Sequence, residues 1–144
     1  MTIIQPSLHG ETSFQRLLGY NEAVMKNWRD LSDILECDGA LSSELKEEIR
    51  RMLAQQNGCL YCKAKGKPKG HLKDNKSAVC LGFTDVFLKL NTDIPDYIIN
   101  ILQDNLTNNE ISELIAFITF TTSQQYFGAL MKLSPNGEKY KYSY

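Results

Sequence analysis

The chain has 144 residues, 42% of them hydrophobic and 23% charged, which is an ordinary balance for a globular domain. Its 16 basic and 17 acidic side chains give a formal net charge of -1, so the whole chain carries no strong field for nucleic acid or membranes. No apolar run approaches the roughly 20 residues that span a bilayer, and the N-terminus lacks the pattern of a signal peptide. We therefore expect a single domain over residues 1–144 in the cytoplasm, with no nucleic-acid or membrane partner.

Helical periodicity dominates the first part of the chain. Apolar residues recur mostly in three- and four-residue steps between Phe14 and Leu35, which predicts a helix there. Ser42 or Ser43 is expected to cap a second helix, and the Asn-Gly pair at 57–58 is expected to end it.

The rest of the chain continues the helical pattern. The segment from Cys59 to Cys62 predicts the first turn of a short helix, since glycines and a proline follow it closely. Residues 63–76 contain six lysines and one acidic residue, which is typical of a solvated basic loop.

Further helices are predicted beyond residue 79, near Pro95 and after the capping-box spacing that begins at Thr107. The last helix is long and apolar, so we expect it in the core rather than at an oligomer contact. The tail after Pro135 is polar and aromatic, and is expected at the surface or poorly ordered. Because no strand pattern or repeat of useful length occurs, the predicted fold class is all-α.

The Cys-x-x-Cys pair formed by Cys59 and Cys62 is the main chemical feature of the sequence. In a reducing compartment such a pair is a redox dithiol, half of a metal site, or a pair of inert buried thiols. A zinc site would combine the pair with His71 and Cys80 at acceptable spacing, but Cys80 belongs to an apolar helix, where a lone cysteine usually packs as a small hydrophobe. Inert thiols are disfavoured because the pair lies at a helix start beside the lysines, an electropositive setting that favours a thiolate. The redox dithiol is the preferred interpretation, and Cys37 and Cys80 are assigned structural roles.

The segment SSELKEEIRRMLAQQNGCLYCK, residues 42–63, resembles the carboxymuconolactone decarboxylase family and, more closely, its alkylhydroperoxidase D-like branch. That motif has a helical glutamate, eleven intervening residues and a Cys-x-x-Cys pair, often after Asn-Gly; its matches here are Glu47, Asn57, Gly58, Cys59 and Cys62. Residues 105–133 look like the last helix of the family. The resemblance implies an alkylhydroperoxidase D-like helical bundle that assembles as a homo-oligomer, a trimer or a hexamer. It also implies a thiol-dependent peroxidase with disulfide-exchange activity and no cofactor, since decarboxylases proper lack the cysteine pair.

The resemblance also assigns catalytic roles to individual residues. It implies that Cys62 attacks the peroxide and that Cys59 resolves the sulfenic acid as a disulfide, while Glu47 belongs to a proton relay. On local grounds Glu47 is either a solvated residue of the first helical turn or a proton acceptor near the thiols. The family's histidine four residues after the second cysteine is Gly66 here. His71 is the nearest imidazole, either returned to the site by a folded loop or left in solvent.

The predicted partners are a peroxide substrate and an external thiol reductant. Two alternatives of other classes remain at this stage. One is a zinc-stabilised interaction module built on Cys59, Cys62, His71 and Cys80. The other is a protein without redox activity that binds a small organic acid through its lysine-rich loop.

Overall fold

The structure is a computed structural model that describes residues 1–135, so the predicted polar tail lies outside the described residues. Within this range the chain forms helices and no β-strand, and the all-α prediction is confirmed for it. No helix in this range combines the length and the apolar character that crossing a membrane requires. In chain order the helices are α1 Ser13–Leu18, α2 Glu22–Glu36, α3 Ser43–Gln56, α4 Leu60–Lys63, α5 Asn75–Leu90, α6 Asp96–Asn105 and α7 Asn108–Leu130.

Several helix starts agree with the capping signals in the sequence. Ser42 caps α3, because its hydroxyl accepts a hydrogen bond from the backbone N–H of Leu45 at 3.1 Å. Thr107 and Glu110 form the predicted capping box at the start of α7. Pro95 stands at the N-cap of α6. The side chains of Ser42 and Thr107 satisfy backbone N–H groups that the first helical turn leaves without a partner, whereas Pro95 makes no side-chain capping bond.

The prediction of one helix from Phe14 to Leu35 is wrong between Gly19 and Asn21. The chain leaves the helix at Gly19 and begins α2 after Asn21, whose side chain accepts from the backbone N–H of Val24 at 3.2 Å. Between Leu18 and Val24 the apolar spacing is six residues, longer than one helical turn. This gap in the apolar pattern coincides with the break between α1 and α2, and it contains Asn21, the N-cap residue of α2.

The main apolar core lies where α3, α5, α6 and α7 meet. Its fully buried side chains include Leu45, Ile49, Cys80, Leu114 and Ile118. Replacing one of these leucines by alanine would cost roughly 2–5 kcal/mol, since the packed neighbours relax only in part. The core position predicted for α7 is confirmed.

A second apolar cluster packs at the other end of α7. We call it the disulfide cluster; its buried members are Leu17, Ala54, Cys59, Tyr61, Cys62 and Leu133. It joins α1, the end of α3, α4 and the residues after α7. Residues 64–74, between α4 and α5, form the basic loop, which begins at this cluster and passes over α3.

Candidate functional site

Cys59 and Cys62 are joined by a disulfide bond. Their Cα atoms lie 5.2 Å apart, inside the range of about 4.4–6.8 Å found for disulfides. Cys59 is the N-cap of α4, and Cys62 lies within its single turn, as the spacing predicted. The backbone N–H of Cys62 donates to Sγ of Cys59 at 3.1 Å. A sulfur atom therefore takes the capping position that an oxygen usually holds.

The turn before the disulfide is held by α7. Gly58 has a φ of +78°, which a residue with a Cβ adopts only with strain. The side-chain N–H of Asn57 donates to Oε1 of Gln125 at 2.8 Å, and Nε2 of Gln125 donates to the carbonyl of Arg50 at 3.2 Å. Gln125 is fully buried, so its two bonds fix the end of α3 relative to α7. The sequence signalled the Asn-Gly turn, but Gln125 carried no local signal and was missed.

The surroundings of the two sulfur atoms are more apolar than the sequence suggested. Cys59 is 1% exposed and Cys62 is 8% exposed, and both pack in the disulfide cluster. Positive charge lies beside this turn as well, because Arg50 donates to the carbonyl of Cys62 and Nζ of Lys65 lies 5.0 Å from the centre of the Tyr61 ring. Inert thiols are disfavoured from the sequence because the surroundings of the pair are not expected to be apolar. That expectation is wrong, since both cysteines pack in an apolar cluster.

Glu47 lies between two arginines rather than against the sulfur atoms. Arg50 donates through Nε and Nη2 to the two carboxylate oxygens at 2.8 and 2.7 Å, and Nε of Arg51 donates to Oε1 at 2.9 Å. Nη1 of Arg50 also donates to the carbonyl of Cys62 at 3.1 Å. The predicted residues Glu47 and Cys62 are thus connected through Arg50, which the sequence reasoning did not single out.

The ionisation of Glu47 follows from this pairing. Partial burial raises the pKa of its carboxyl, but the hydrogen bonds and charges of Arg50 and Arg51 outweigh burial and hold the pKa below its usual value. A carboxylate with a lowered pKa is a weaker base. The geometry therefore favours Glu47 as the group that orients Arg50 over Glu47 as a proton acceptor.

His71 lies on the basic loop away from the disulfide. Its Nε2 is 2.8 Å from Oε1 of Glu44, its Nδ1 is 3.5 Å from Oε2 of Glu48, and the side chain is 44% exposed. The buried Glu48 carboxylate also accepts the backbone N–H groups of Lys69 and Gly70 at 2.7 and 2.8 Å. These contacts hold the loop on α3. The structure brings His71 to the acidic residues of that helix, and a catalytic role for its ring stays a prediction.

Gly66 occupies the position where the related motif has its histidine. Its φ is +127°, and a Cβ there would lie 3.0 Å from Nη1 of Arg51. That guanidinium also donates to the carbonyl of Lys67 at 3.2 Å. A histidine at this position would adopt a strained backbone conformation and would crowd the Arg51 guanidinium, so the local structure of the loop favours glycine here.

A cavity of about 380 Å³ opens between α3 and the basic loop. Its walls carry both charges, and among the described residues that line it neither Cys59 nor Cys62 occurs. Arg50 connects the cavity with the disulfide, because it lines the cavity and donates a hydrogen bond to the carbonyl of Cys62. The lining residues are Glu36, Ser43, Glu44, Lys46, Glu47, Glu48, Arg50, Arg51, Lys65, Lys69, His71 and Phe117.

The four residues of the alternative zinc site are not brought together. Cys59 and Cys62 are bonded to each other, while Cys80 is buried in the main core and His71 lies on the loop surface. Burial raises the pKa of the Cys80 thiol to about 11, which disfavours the thiolate that zinc binds. Within residues 1–135 no group of three or more His, Cys, Asp or Glu side chains is arranged to hold a metal ion. Cys37 is exposed at the C-terminal cap of α2.

Comparisons of the chain with protein-family models, with curated proteins and with solved structures found no match. The resemblance to the carboxymuconolactone decarboxylase family therefore stands on the motif around Glu47, Cys59 and Cys62 and on the pattern of the last helix. Membership in that family, its bundle topology and its oligomeric state remain predictions.

Proposed function

We propose that this protein is a thiol-dependent oxidoreductase whose Cys59–Cys62 pair cycles between a dithiol and a disulfide, with a peroxide as the oxidant. The observation that carries the proposal is the disulfide between two cysteines on one turn of α4. The turn is held in place by bonds from α7 and from Arg50. A pair kept at bonding distance can exchange electrons without a large movement of the chain.

The proposed reaction has three steps. The Cys62 thiol loses its proton, and the thiolate attacks the terminal oxygen of a hydroperoxide ROOH; the O–O bond breaks, and the leaving RO⁻ takes up one proton, equivalent to the one that Cys62 lost, to become ROH. Cys62 is then a sulfenic acid, which the Cys59 thiol attacks to form the disulfide and release water. An external dithiol reduces the disulfide by two-step exchange and becomes a disulfide itself.

The burial of the pair supports a small oxidant. Cys62 is 8% exposed and Cys59 is 1% exposed, and this difference favours Cys62 as the cysteine that a small peroxide meets first. A folded protein disulfide is too large to meet either sulfur unless α4 moves. Thiol–disulfide exchange with a small external dithiol remains part of the cycle, because it reduces the disulfide back to the dithiol.

Glu47 and Arg50 support the reacting turn. We assign Glu47 the role of fixing the Arg50 guanidinium, which donates to the carbonyl of Cys62. No step is assigned to His71, whose ring is bonded to Glu44. The oligomeric bundle, its trimeric or hexameric state and a cytoplasmic location belong to the same proposal.

Peroxide-dependent oxidation of an added dithiol tests the proposal. We expect wild-type turnover with hydrogen peroxide or an alkyl hydroperoxide, and mass spectrometry should find two hydrogens lost at the pair. Cys62→Ser should abolish turnover. Cys59→Ser should leave a sulfenic acid that a trapping reagent labels at Cys62. The matched control is Cys37→Ser, which should match wild type because Cys37 is remote in sequence and exposed.

Two results would contradict the proposal. The first is a wild-type protein that neither consumes these peroxides nor loses two hydrogens when it is treated with them. The second is full turnover in Cys62→Ser, which would move the reaction away from the pair.

A further inference from the structure

Gly128, within α7, lies directly against the disulfide. A Cβ built on Gly128 would be 2.6 Å from Sγ of Cys59 and 3.7 Å from Sγ of Cys62. Gly128 is buried inside a regular helix, so its backbone has no need of a glycine. A glycine is required here because the Cys59 sulfur occupies the space next to the Cα atom where a side chain would lie.

We propose that Gly128 is a positioning residue for the redox pair: its missing side chain leaves the space that Sγ of Cys59 needs in the disulfide state. This inference rests on the proposed redox function for its role in the cycle. Atoms in ordinary van der Waals contact stay roughly 3.5–4.0 Å apart, so a methyl group at position 128 would overlap the sulfur.

The overlap acts differently on the two redox states. In the disulfide, Sγ of Cys59 is tied to Cys62 and cannot turn away from a new methyl group. In the dithiol, the Cys59 side chain can change its χ1 rotamer and move the sulfur aside. A Cβ at position 128 therefore raises the free energy of the disulfide more than that of the dithiol.

The exchange equilibrium with glutathione measures this difference. In that reaction the protein dithiol and one glutathione disulfide give the protein disulfide and two reduced glutathione molecules. We expect Gly128→Ala to shift the equilibrium constant toward the dithiol by at least about fivefold, the lower end of the effect of overpacking by one methyl group. Samples of Cys37→Ser protein would be equilibrated at several ratios of reduced to oxidised glutathione, quenched with acid and alkylated. Mass spectrometry would then give the fractions of dithiol and disulfide.

Gly82→Ala is the matched control. Gly82 lies on the exposed side of α5, where an added Cβ meets no atom within 4 Å. Both substitutions raise helix propensity by the same amount, but only the one at Gly128 meets the sulfur. We expect Gly82→Ala to keep the wild-type equilibrium constant.

The outcomes separate this inference from the proposed function. An unchanged constant in Gly128→Ala, or an equal change in Gly82→Ala, would overturn the positioning role. A shifted constant in a protein that shows no peroxide turnover would support the role of Gly128 and refute the peroxidase. A wild-type protein that never forms the disulfide would overturn both.

A folding defect in Gly128→Ala would still be informative. Cys59→Ala removes the sulfur atom that the new methyl group meets. If Gly128→Ala does not fold, the double variant Cys59→Ala/Gly128→Ala should fold as well as Cys59→Ala alone. A double variant that fails to fold while Cys59→Ala folds would show that Gly128 is needed for some reason other than the sulfur, against the inference.

Discussion

Replacing Glu47 by glutamine tests whether one carboxylate holds two arginines beside the disulfide. The Arg50 and Arg51 side chains are only 11% and 6% exposed, whereas Glu47 is 37% exposed. Removing one partner of a fully buried pair costs roughly 3–5 kcal/mol, and an exposed pair contributes at most about 1 kcal/mol. Because solvent reaches the carboxylate but hardly reaches the guanidiniums, we expect E47Q to lower the free energy of unfolding by about 1–2 kcal/mol at neutral pH.

The same substitution has a pH signature with a defined sign. The pKa of Glu47 is lowered in the folded protein, with Arg50 and Arg51 outweighing the effect of burial. A group with a lowered folded-state pKa stabilises the protein fully above its unfolded-state pKa, roughly 4.3 for glutamate, and this contribution is lost as the pH falls through the folded-state value. The difference between wild type and E47Q should therefore be constant at neutral pH and should shrink in acid.

Urea unfolding of the oxidised proteins, followed by circular dichroism at pH 7 and in acid, measures both effects. Glu11→Gln is the matched control, because Glu11 is an exposed carboxylate ahead of α1, and its stability should equal that of wild type. Equal stability of E47Q and wild type at pH 7 would refute the reasoning. So would a difference that persists undiminished in acid, because glutamine would then act through packing rather than charge.

Other predictions concern the free thiols, the loop and α7. In native protein at pH 8, an alkylating reagent should modify the exposed Cys37 but spare Cys80, whose thiol pKa burial raises to about 11; in denaturant both should react. Glu48→Ala removes the acceptor of two backbone N–H groups of the basic loop, so trypsin should cleave at the loop lysines several times faster than in wild type. Gln125→Ala removes the acceptor of the half-buried Asn57 amide and the side-chain donor to the Arg50 carbonyl, and urea unfolding should show a loss of about 1–2 kcal/mol.

Local signals in the sequence predicted local structure well. The Ser42 cap, the capping box at Thr107 and the turn at Asn57-Gly58 each depend on residues a few positions apart. The cysteine pair belongs to the same class, because a spacing of three puts both side chains on one turn. Signals of this kind need no knowledge of the tertiary fold.

The charged residues of α3 show what local patterns miss. Lys46, Glu48 and Arg51 are all buried, although periodicity alone places such residues on a solvated face. Each is buried because a distant group supplies its partner. Nζ of Lys46 donates to the carbonyl of Cys37 at 2.7 Å, and Arg51 donates to the basic loop. The helix has neighbours on most sides, and no pattern within its own residues indicates this.

The candidate site was predicted in part for the same reason. Glu47 and the cysteines were found through the motif, but Arg50 and Gln125 join them through contacts that span 12 and 75 residues of chain. The sequence left two positions open for His71, either near the disulfide on a loop folded back at its glycines or in solvent. The loop does fold back, yet buried Glu48 accepts its backbone N–H groups and directs the histidine toward Glu44.

The two cysteines are placed asymmetrically, and this bears on which one a peroxide meets first. The N–H of Cys62 donates to Sγ of Cys59, a contact that would stabilise a thiolate on Cys59 in the reduced protein. Yet Cys59 is the more deeply buried of the two, and its sulfur faces the backbone of Gly128. In the proposed peroxidase reaction, a peroxide must reach a sulfur before the acidity of the thiol matters, so the greater exposure of Cys62 favours attack there. In the same proposal Cys59 is the resolving cysteine, because its position three residues before Cys62 on one turn of α4 keeps it within reach of the sulfenic acid.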